Sequence, residues 1–556
     1  MSTATSPAPG RQLRSRTATP LFVRAWERLD APLTGRTVPG TVTIAAFAML
    51  VGVVATVVSY QQDWILLFFD TRSHLTIARA LTDSVNPGFY QLGTVWLPIP
   101  HLLLMPFMMV FPLWQTGLGG SMLGVIALGV SAAALWRVAY RVGFGRAARF
   151  VVVGAFVFNP TMLYLSTTAL TEPVLIAALL ASLAGLAGWI TAMPAISPGA
   201  LAVFAGVPVT LAVLSRYEGW AFVAVSCVFI VIASWRRWRS VSYTVTLLGS
   251  YLAVPAAGVV WWFSYNYIRF GDPLEFARGP YSAGAEAALR SSLGVLPQKG
   301  NLGLSLAIYH DAAINIVGIP LLVFALVGGG LFLYQRGFST TALVVWLPAF
   351  WYPFIVLSLY TGQIIIVNDS ALPASTLYNN RYAGGNGALV ALLCGALVDI
   401  AVIWRPRFGR ALGALVVATA LGFTAWSFAD GYNRMVILRE GSSNTVQGNA
   451  EAAGKWVSQN YEGGYVLLDA GSRGDAIVLG IDNDQIISVD NGPVFERALA
   501  DPAAYVQWVF VNTDLVRTSV WKILKDDPAF LSRFALAHEE GSFQVYKNLG
   551  PSGSPL

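Results

Sequence analysis

FFDTRSHLTIARALTDSVNPGFYQLGTVWLPIPH (residues 68–101) is the stretch on which the fold turns. It follows closely on the apolar run 41–60, which has the ~20 residues a helix needs to cross a bilayer. Its start sets Asp70, Arg72 and His74 within five residues of one another at a membrane edge. Its end, from Trp96 to His101, opens a second apolar stretch, 95–113, interrupted by Pro98, Pro100, Pro106 and Pro112. Whether that second stretch crosses the membrane fixes the side on which every later loop lies.

The 556-residue chain is 55% hydrophobic and 12% charged, about half the charge of a soluble globular protein. It therefore reads as a polytopic α-helical membrane protein, with about eleven transmembrane helices at 41–60, 117–137, 149–167, 173–191, 199–214, 220–235, 243–265, 312–334, 341–360, 385–404 and 411–429. The net charge of +6 does not point to nucleic acid. Its basic residues sit in short segments between apolar runs, the pattern of cytoplasmic loops. Cys227 and Cys394 both lie inside apolar runs and offer neither a disulfide framework nor a metal knuckle. Residues 1–40 read as a cytoplasmic tail, since their basic residues are not followed by a short apolar core and a cleavage site.

Charge decides the status of 95–113. If it does not cross, and the tail is inside, then Arg137, Arg141, Arg146 and Arg149 face the cytoplasm. So do Arg236, Arg237 and Arg239, then Arg336, and finally Arg405, Arg407 and Arg410. If it crosses, the later clusters all flip outside, against the positive-inside rule. The stretch is thus expected to lie along the membrane or dip into it, with membrane-parallel helices in the first outer loop. The segments 61–116, 167–172, 215–219, 266–311, 361–384 and everything after about 430 then share the outer face. A domain division follows: tail 1–40, membrane unit 41–430, and an extracytoplasmic α/β domain at 440–548. In the last, YVLLDAG, QIISVD, WVFVN and FQVYKN read as strands alternating with helices.

The polar residues that topology leaves unexplained gather on that outer face. Asp70 is an ionisable group beside Phe68 and Phe69, costly at membrane depth unless it has a function or caps the following helix. Glu172 opens a span in the turn LTEPVL, where Pro173 costs no hydrogen bond. SRYEGW (215–220) supplies Arg216 and Glu218, which can pair with each other, or the arginine can grip a phosphate. NNRYAGGNG (379–387) supplies Arg381 and Tyr382, an outer-face arginine against the charge bias. The loop 265–284 adds Tyr281. Two acids on one face suit a base and a positioning group, or a shared divalent cation. Asp469, Asp475, Asp482 and Asp484 read as solvated loop charges. No P-loop, dinucleotide fingerprint or HExxH is present, so a soluble nucleotide cofactor has no home.

An Asp soon after the first span, a proline-bearing segment along the membrane, the acid-Pro turn TEP and an Arg-Tyr before a late span together resemble the polyprenyl-phosphate-sugar-dependent glycosyltransferases of the GT-C superfamily. That superfamily includes protein O-mannosyltransferases and aminoarabinose transferases, and segment 70–101 looks closest to its actinobacterial or archaeal-type members. The resemblance implies an enzyme of the plasma membrane using a polyprenyl-phosphate-linked sugar donor and a glycan, lipid or protein acceptor. It implies Asp70 as general base in an inverting single displacement, with Glu172 orienting the acceptor or sharing a metal. Arg72, His74, Trp96, His101, Arg216, Glu218, Tyr281, Arg381 and Tyr382 become the candidate substrate contacts. Two departures narrow it. Asp70 is followed by Thr71 rather than Glu, unlike the protein O-mannosyltransferases, and the oligosaccharyltransferase signature WWDYG is missing. A lipid-linked-substrate transporter or flippase is the alternative, but it predicts repeated halves and mid-membrane charges that the sequence lacks.

Overall fold

A computed structural model describes residues 37–192, 197–280, 282–292, 294, 296–368, 377–442, 445–514 and 520–550. Most of the N-terminal tail, and Tyr281, lie outside the described residues. Among those described, nine helices are long and apolar enough to cross a membrane. They are Thr41–Gln61, Leu118–Arg141, Glu172–Thr191, Glu218–Trp238, Val241–Phe270, Ile319–Arg336, Thr340–Thr361, Asn380–Trp404 and Pro406–Ala429. Glu172–Thr191 and Asn380–Trp404 are the most enclosed, with 72% of the apolar window buried, against 22% for Thr41–Gln61 and Pro406–Ala429. The helices that begin at Glu172 and beside Arg381 are therefore the centre of the bundle.

Three expected spans differ from their simple form, each for a local reason. The run 149–167 is broken into Arg146–Val157 and Pro160–Leu165. Pro160 drives the preceding Asn159 to an extended conformation (φ −82°, ψ 122°), and the Asn159 side chain accepts the Met162 N–H as a cap. The run 199–214 is a 16-residue helix, Pro198–Val213. It contains a π-helical segment, Ala202–Gly206, just before Pro208, where the proline ring cannot sit in regular α-helix. The run 312–334 is divided at Gly318 (φ 84°) into Leu302–Val317 and Ile319–Arg336. A Cβ there would lie 2.9 Å from the Phe423 ring, so the break is also a close packing point.

The proline-rich stretch forms Ile99–Met108, ten residues with Pro100 in its first turn and Pro106 inside, then the short Phe111–Gln115. Ten helical residues span about 15 Å, half of a ~30 Å hydrocarbon core. This helix packs on Phe69–Ala80, so the first loop holds two short helices in contact.

The C-terminal part is a five-stranded sheet in the order β2-β1-β3-β5-β4. Its strands are β1 (Val466–Leu468), β2 (Ile486–Ile487), β3 (Trp508–Asn512), β4 (Phe534–Glu540) and β5 (Phe543–Asn548). β1 pairs in parallel with β2 and β3, while β5 is antiparallel to β3 and β4. Period-two alternation along β3 sends Trp508 and Phe510 to one face, against Ala450, Ala453 and Val457. Val509 and Val511 go to the other, against Phe495, Leu524 and Phe530. The sheet is thus covered by helices on both faces. β4, FALAHEE, was not among the strands read from sequence. It is an edge strand whose central residues face solvent and whose apolar start, FALA, gives way to the polar HEE.

This sheet domain rests on the first loop. Arg72 bonds to Glu451, Arg79 to Asp482 at 3.2 Å, and Asn483 donates to the Asp83 carbonyl at 2.8 Å. Asn491 donates to Ser84 Oγ at 3.0 Å and to Asn86. Asp482 and Asp484 are exposed, as expected, but Asp469 and Asp475 are buried. Asp469 follows directly on the wholly buried strand β1, which carries it into the interior.

Candidate functional site

Four carboxylates and two guanidiniums converge where the first loop, the central bundle and the connector to the sheet domain meet. Arg381 is the hub. Its Nη2 bonds to Asp70, its Nε donates to Glu172 Oε1 at 3.0 Å, and its Nη1 lies 3.6 Å from Glu440 Oε1. Phe68 underlies the guanidinium, 5.2 Å from its ring centre. Arg216 forms the second centre. It donates to Glu172 Oε1 and Thr171 Oγ1, each at 3.1 Å, and to Glu218 at 3.0 Å, over the Tyr382 ring at 4.6 Å.

Local structure explains each placement. Phe68 takes the N-cap position of Phe69–Ala80, so Asp70 sits in the first turn, and its carboxylate meets Arg381. Glu172 is the first residue of its helix, fixed by the following proline. Glu218 likewise begins Glu218–Trp238, and the tight turn 214–217 folds Arg216 back over it. The expected pairing of Arg216 with Glu218 is present, together with a second bond to Glu172. Trp351 Nε1 donates to the Tyr382 carbonyl at 2.8 Å, pinning the 3₁₀ turn Asn380–Gly385 that carries Arg381.

Burial is unequal. The side chains of Glu172, Arg381, Glu218 and Glu440 are 2%, 4%, 5% and 5% exposed, Arg216 is 15%, and Asp70 is 33% exposed. Asp70 is the carboxylate of the network that an incoming molecule meets. Below it, one turn along the same helix, His74 Nδ1 lies 2.9 Å from His101 Nε2 on Ile99–Met108, with Trp96 at 4.6 Å between ring centres. His74 is held neutral. Burial, reinforced by Arg381 and Arg216, lowers its pKa to about 3.

Of the sequence candidates, Asp70, Glu172, Arg216, Glu218, Arg381 and Tyr382 come together, with His74, His101 and Trp96 adjacent. Arg72 does not join them. Its guanidinium is buried and used on the Leu66 carbonyl (2.9 Å) and Glu451, where it fastens the sheet domain to the first loop. Glu440 was missed. It lies on Val436–Ser442 and accepts the backbone N–H of Asn379 at 2.7 Å and of Asn380 at 3.1 Å. Burial pushes its carboxyl above the usual range, and Arg381 and these N–H groups pull the other way. The only sequence signal for it is the apolar run MVIL (435–438) just before, which carries an acid into the interior. Among the described residues no three His, Cys, Asp or Glu side chains form a cage for a metal ion. Each of the four carboxylates in the network instead meets a guanidinium.

No family model matches the sequence, and no curated protein matches it either. Solved structures do. ArnT from Cupriavidus metallidurans bound to undecaprenyl phosphate superposes with a TM-score of 0.55 at 13% identity, covering 92% of this chain and 99% of that one. The same protein in its apo state gives 0.51 at 15% identity, over 91% and 99%. An oligosaccharyltransferase from Archaeoglobus fulgidus, tethered to an acceptor peptide, gives 0.43 at 13% identity, over 84% and 69%. Over 92% of its length the chain shares the fold of ArnT.

Proposed function

We propose that the chain is a multi-pass membrane glycosyltransferase that moves a sugar from a polyprenyl-phosphate donor to an acceptor hydroxyl. The observation that carries this reading is the exposure of Asp70 on an otherwise buried, arginine-centred network. A lipid-linked donor keeps its chain in the bilayer and needs a cation for its phosphate and a base for the acceptor at the membrane edge. The network offers both together. The undecaprenyl phosphate bound by ArnT, on the same fold, supports a donor of this class.

At rest, Asp70 holds Nη2 of Arg381. The donor phosphate takes that nitrogen, with Arg216 beside it, and releases Asp70. The free carboxylate accepts the proton of the acceptor hydroxyl as its oxygen bonds to the anomeric carbon. The bond from that carbon to the phosphate oxygen breaks, and polyprenyl phosphate leaves with the electron pair. One displacement inverts the anomeric centre. Glu172 keeps both arginines oriented, and neutral His74, backed by His101, presents its ring beside Asp70 for a sugar hydroxyl. The distribution of arginine between spans supports a cytoplasmic N-terminus, with this site and the sheet domain outside the plasma membrane. The charges of the network gather at the starts of Glu172–Thr191, Glu218–Trp238 and Asn380–Trp404 rather than in the middle of a span, which favours transfer over transport.

The test is to incubate purified protein with a panel of polyprenyl-phosphate sugars and acceptors, following both glycosylated product and released polyprenyl phosphate. Transfer by the wild type and its loss in Asp70→Asn is the expected result. Equal transfer by both proteins would sink the assignment of Asp70.

A further inference from the structure

Glu440 lies outside every motif that pointed to the site, yet it touches the hub. Its two oxygens occupy a nest of successive backbone N–H groups, Asn379 at 2.7 Å and Asn380 at 3.1 Å, with the Asn380 side chain at 3.4 Å. Asn379 is left-handed (φ 56°), a conformation asparagine tolerates better than most other non-glycine residues. The Asn379 and Asn380 side chains are anchored from the other side, on the Ile365 carbonyl at 3.2 Å and the Val367 carbonyl at 3.0 Å. Arg381 is the next residue. Its backbone is therefore aimed by the turn that Glu440 closes, and its Nη1 also faces Glu440 at 3.6 Å.

The carboxylate comes from an informative place. Val436–Ser442 joins the last membrane helix to Thr445–Asn460, the first helix of the sheet domain. Glu451, on that next helix, holds Arg72 two residues beyond Asp70. One short stretch of chain thus grips both halves of the base–cation pair, Asp70 through its helix and Arg381 through its turn.

We infer that Glu440 is a positioning residue for phosphate recognition, aiming the Arg381 guanidinium at the donor and making the connector to the sheet domain part of the site. This rests on the reading of Arg381 as the phosphate ligand. With a carboxylate fixed by two N–H bonds, the turn cannot rotate without breaking both. Glutamine at this position keeps the size, loses the charge and presents one acceptor instead of two.

The experiment is the binding of undecaprenyl phosphate to full-length protein in lipid nanodiscs, followed by intrinsic tryptophan fluorescence. Glu440→Gln is expected to weaken binding about tenfold, the effect of losing one charge-assisted hydrogen bond. In an Arg381→Lys background, where the planar fork is already gone, the same change is expected to add less than about twofold. Unchanged affinity in Glu440→Gln overturns the inference. So does equal weakening in both backgrounds, which would mark a general loss of structure. If Arg381→Lys alone binds like wild type, the reading of Arg381 as phosphate ligand falls, and this inference with it. Glu440→Asp covers the case of a poorly folded glutamine variant. It keeps the charge one methylene short of the nest, so amide hydrogen exchange at Asn379 and Asn380 should rise together with the dissociation constant. Faster exchange with unchanged affinity would again overturn the proposal.

Discussion

Asp70→Asn separates catalysis from binding in a way the geometry dictates. The substitution keeps the shape of the side chain and removes its basicity. A positioned general base contributes about 10²–10⁴ in rate, so kcat should fall by that factor. Stability should barely change. Arg381 retains Glu172 at 3.0 Å and Glu440 at 3.6 Å, so its guanidinium is not stranded. The lost partner is 33% exposed, which limits the pair to about 1 kcal/mol after screening. That same ~1 kcal/mol is what the donor phosphate must overcome to take Nη2 from Asp70. Its removal should tighten undecaprenyl phosphate binding by up to about fivefold. The expected signature is a large fall in kcat with a dissociation constant that holds steady or drops. Single-turnover transfer at saturating donor gives the first quantity and fluorescence titration in nanodiscs the second. A variant retaining more than a tenth of wild-type turnover would refute the base assignment. A dissociation constant raised tenfold would refute the exchange of phosphate for Asp70 on Arg381, and make Asp70 a ligand of the donor instead.

Three further expectations concern the same architecture. Arg381→Ala leaves Asp70, Glu172 and Glu440 around an empty position, and breaking a buried pair of this kind costs about 3–5 kcal/mol. Its thermal half-life in detergent should be far shorter than that of Arg381→Lys, and equal half-lives would show that the network is not structural. His74 is held to a pKa of about 3, below its ordinary 6.5, by burial and by Arg381 and Arg216, with His101 on its other side. An unfolded chain therefore takes up a proton there that the native state refuses. Stability from this group is present above pH 6.5 and is lost as pH falls toward 3, by up to ~1.4 kcal/mol per unit. Half-lives of His74→Gln should show a shallower acid limb than wild type across that window, and parallel limbs would contradict the assignment. Trp508, 1% exposed on the central strand, donates to the Gly463 carbonyl at 3.2 Å and packs edge-on to Trp456. Trp508→Ala should cost about 3–5 kcal/mol and expose residues 440–548 to limited proteolysis while the membrane unit stays intact. Unaltered protease resistance would be evidence against that core.

Much of the site was legible because ionisable groups are scarce at a membrane edge. Asp70, Glu172, Arg216 and Arg381 are spread over 311 residues of chain and carry weak motifs singly. What joined them was sidedness, fixed by one decision about 95–113, and the ten-residue Ile99–Met108 is too short to reverse it. The sheet domain was legible where its strands are buried on both faces, as in WVFVN, and failed at FALAHEE, whose central residues face solvent. Span boundaries failed where one residue interrupts a long apolar run: Pro160, Pro208 and Gly318 all end or distort helices that composition alone makes continuous. Glu440 was hidden because it lies beyond the last span, where acids are ordinary and its one signal, the four-residue apolar run MVIL, is too short to stand out.

Arg72 is the instructive error, since the sequence contained its correction. An α-helix turns about 100° per residue, so positions two apart face nearly opposite ways and positions four apart share a face. Asp70 and His74 are four apart, and both look into the site. Arg72, two residues after Asp70, is about 200° around the same helix. It points to Glu451 in the sheet domain. Taking Asp70, Arg72 and His74 together as site candidates treated three neighbours in sequence as neighbours in space. The helical period divides them into a face toward the Arg381 network and a docking face. The same rule places Arg79, at seven residues from Arg72, back on the docking face, where it meets Asp482. One amphipathic helix therefore carries the proposed base on one side and the fastening of the sheet domain on the other. A change that loosens the docking face should be felt at Asp70 without touching it.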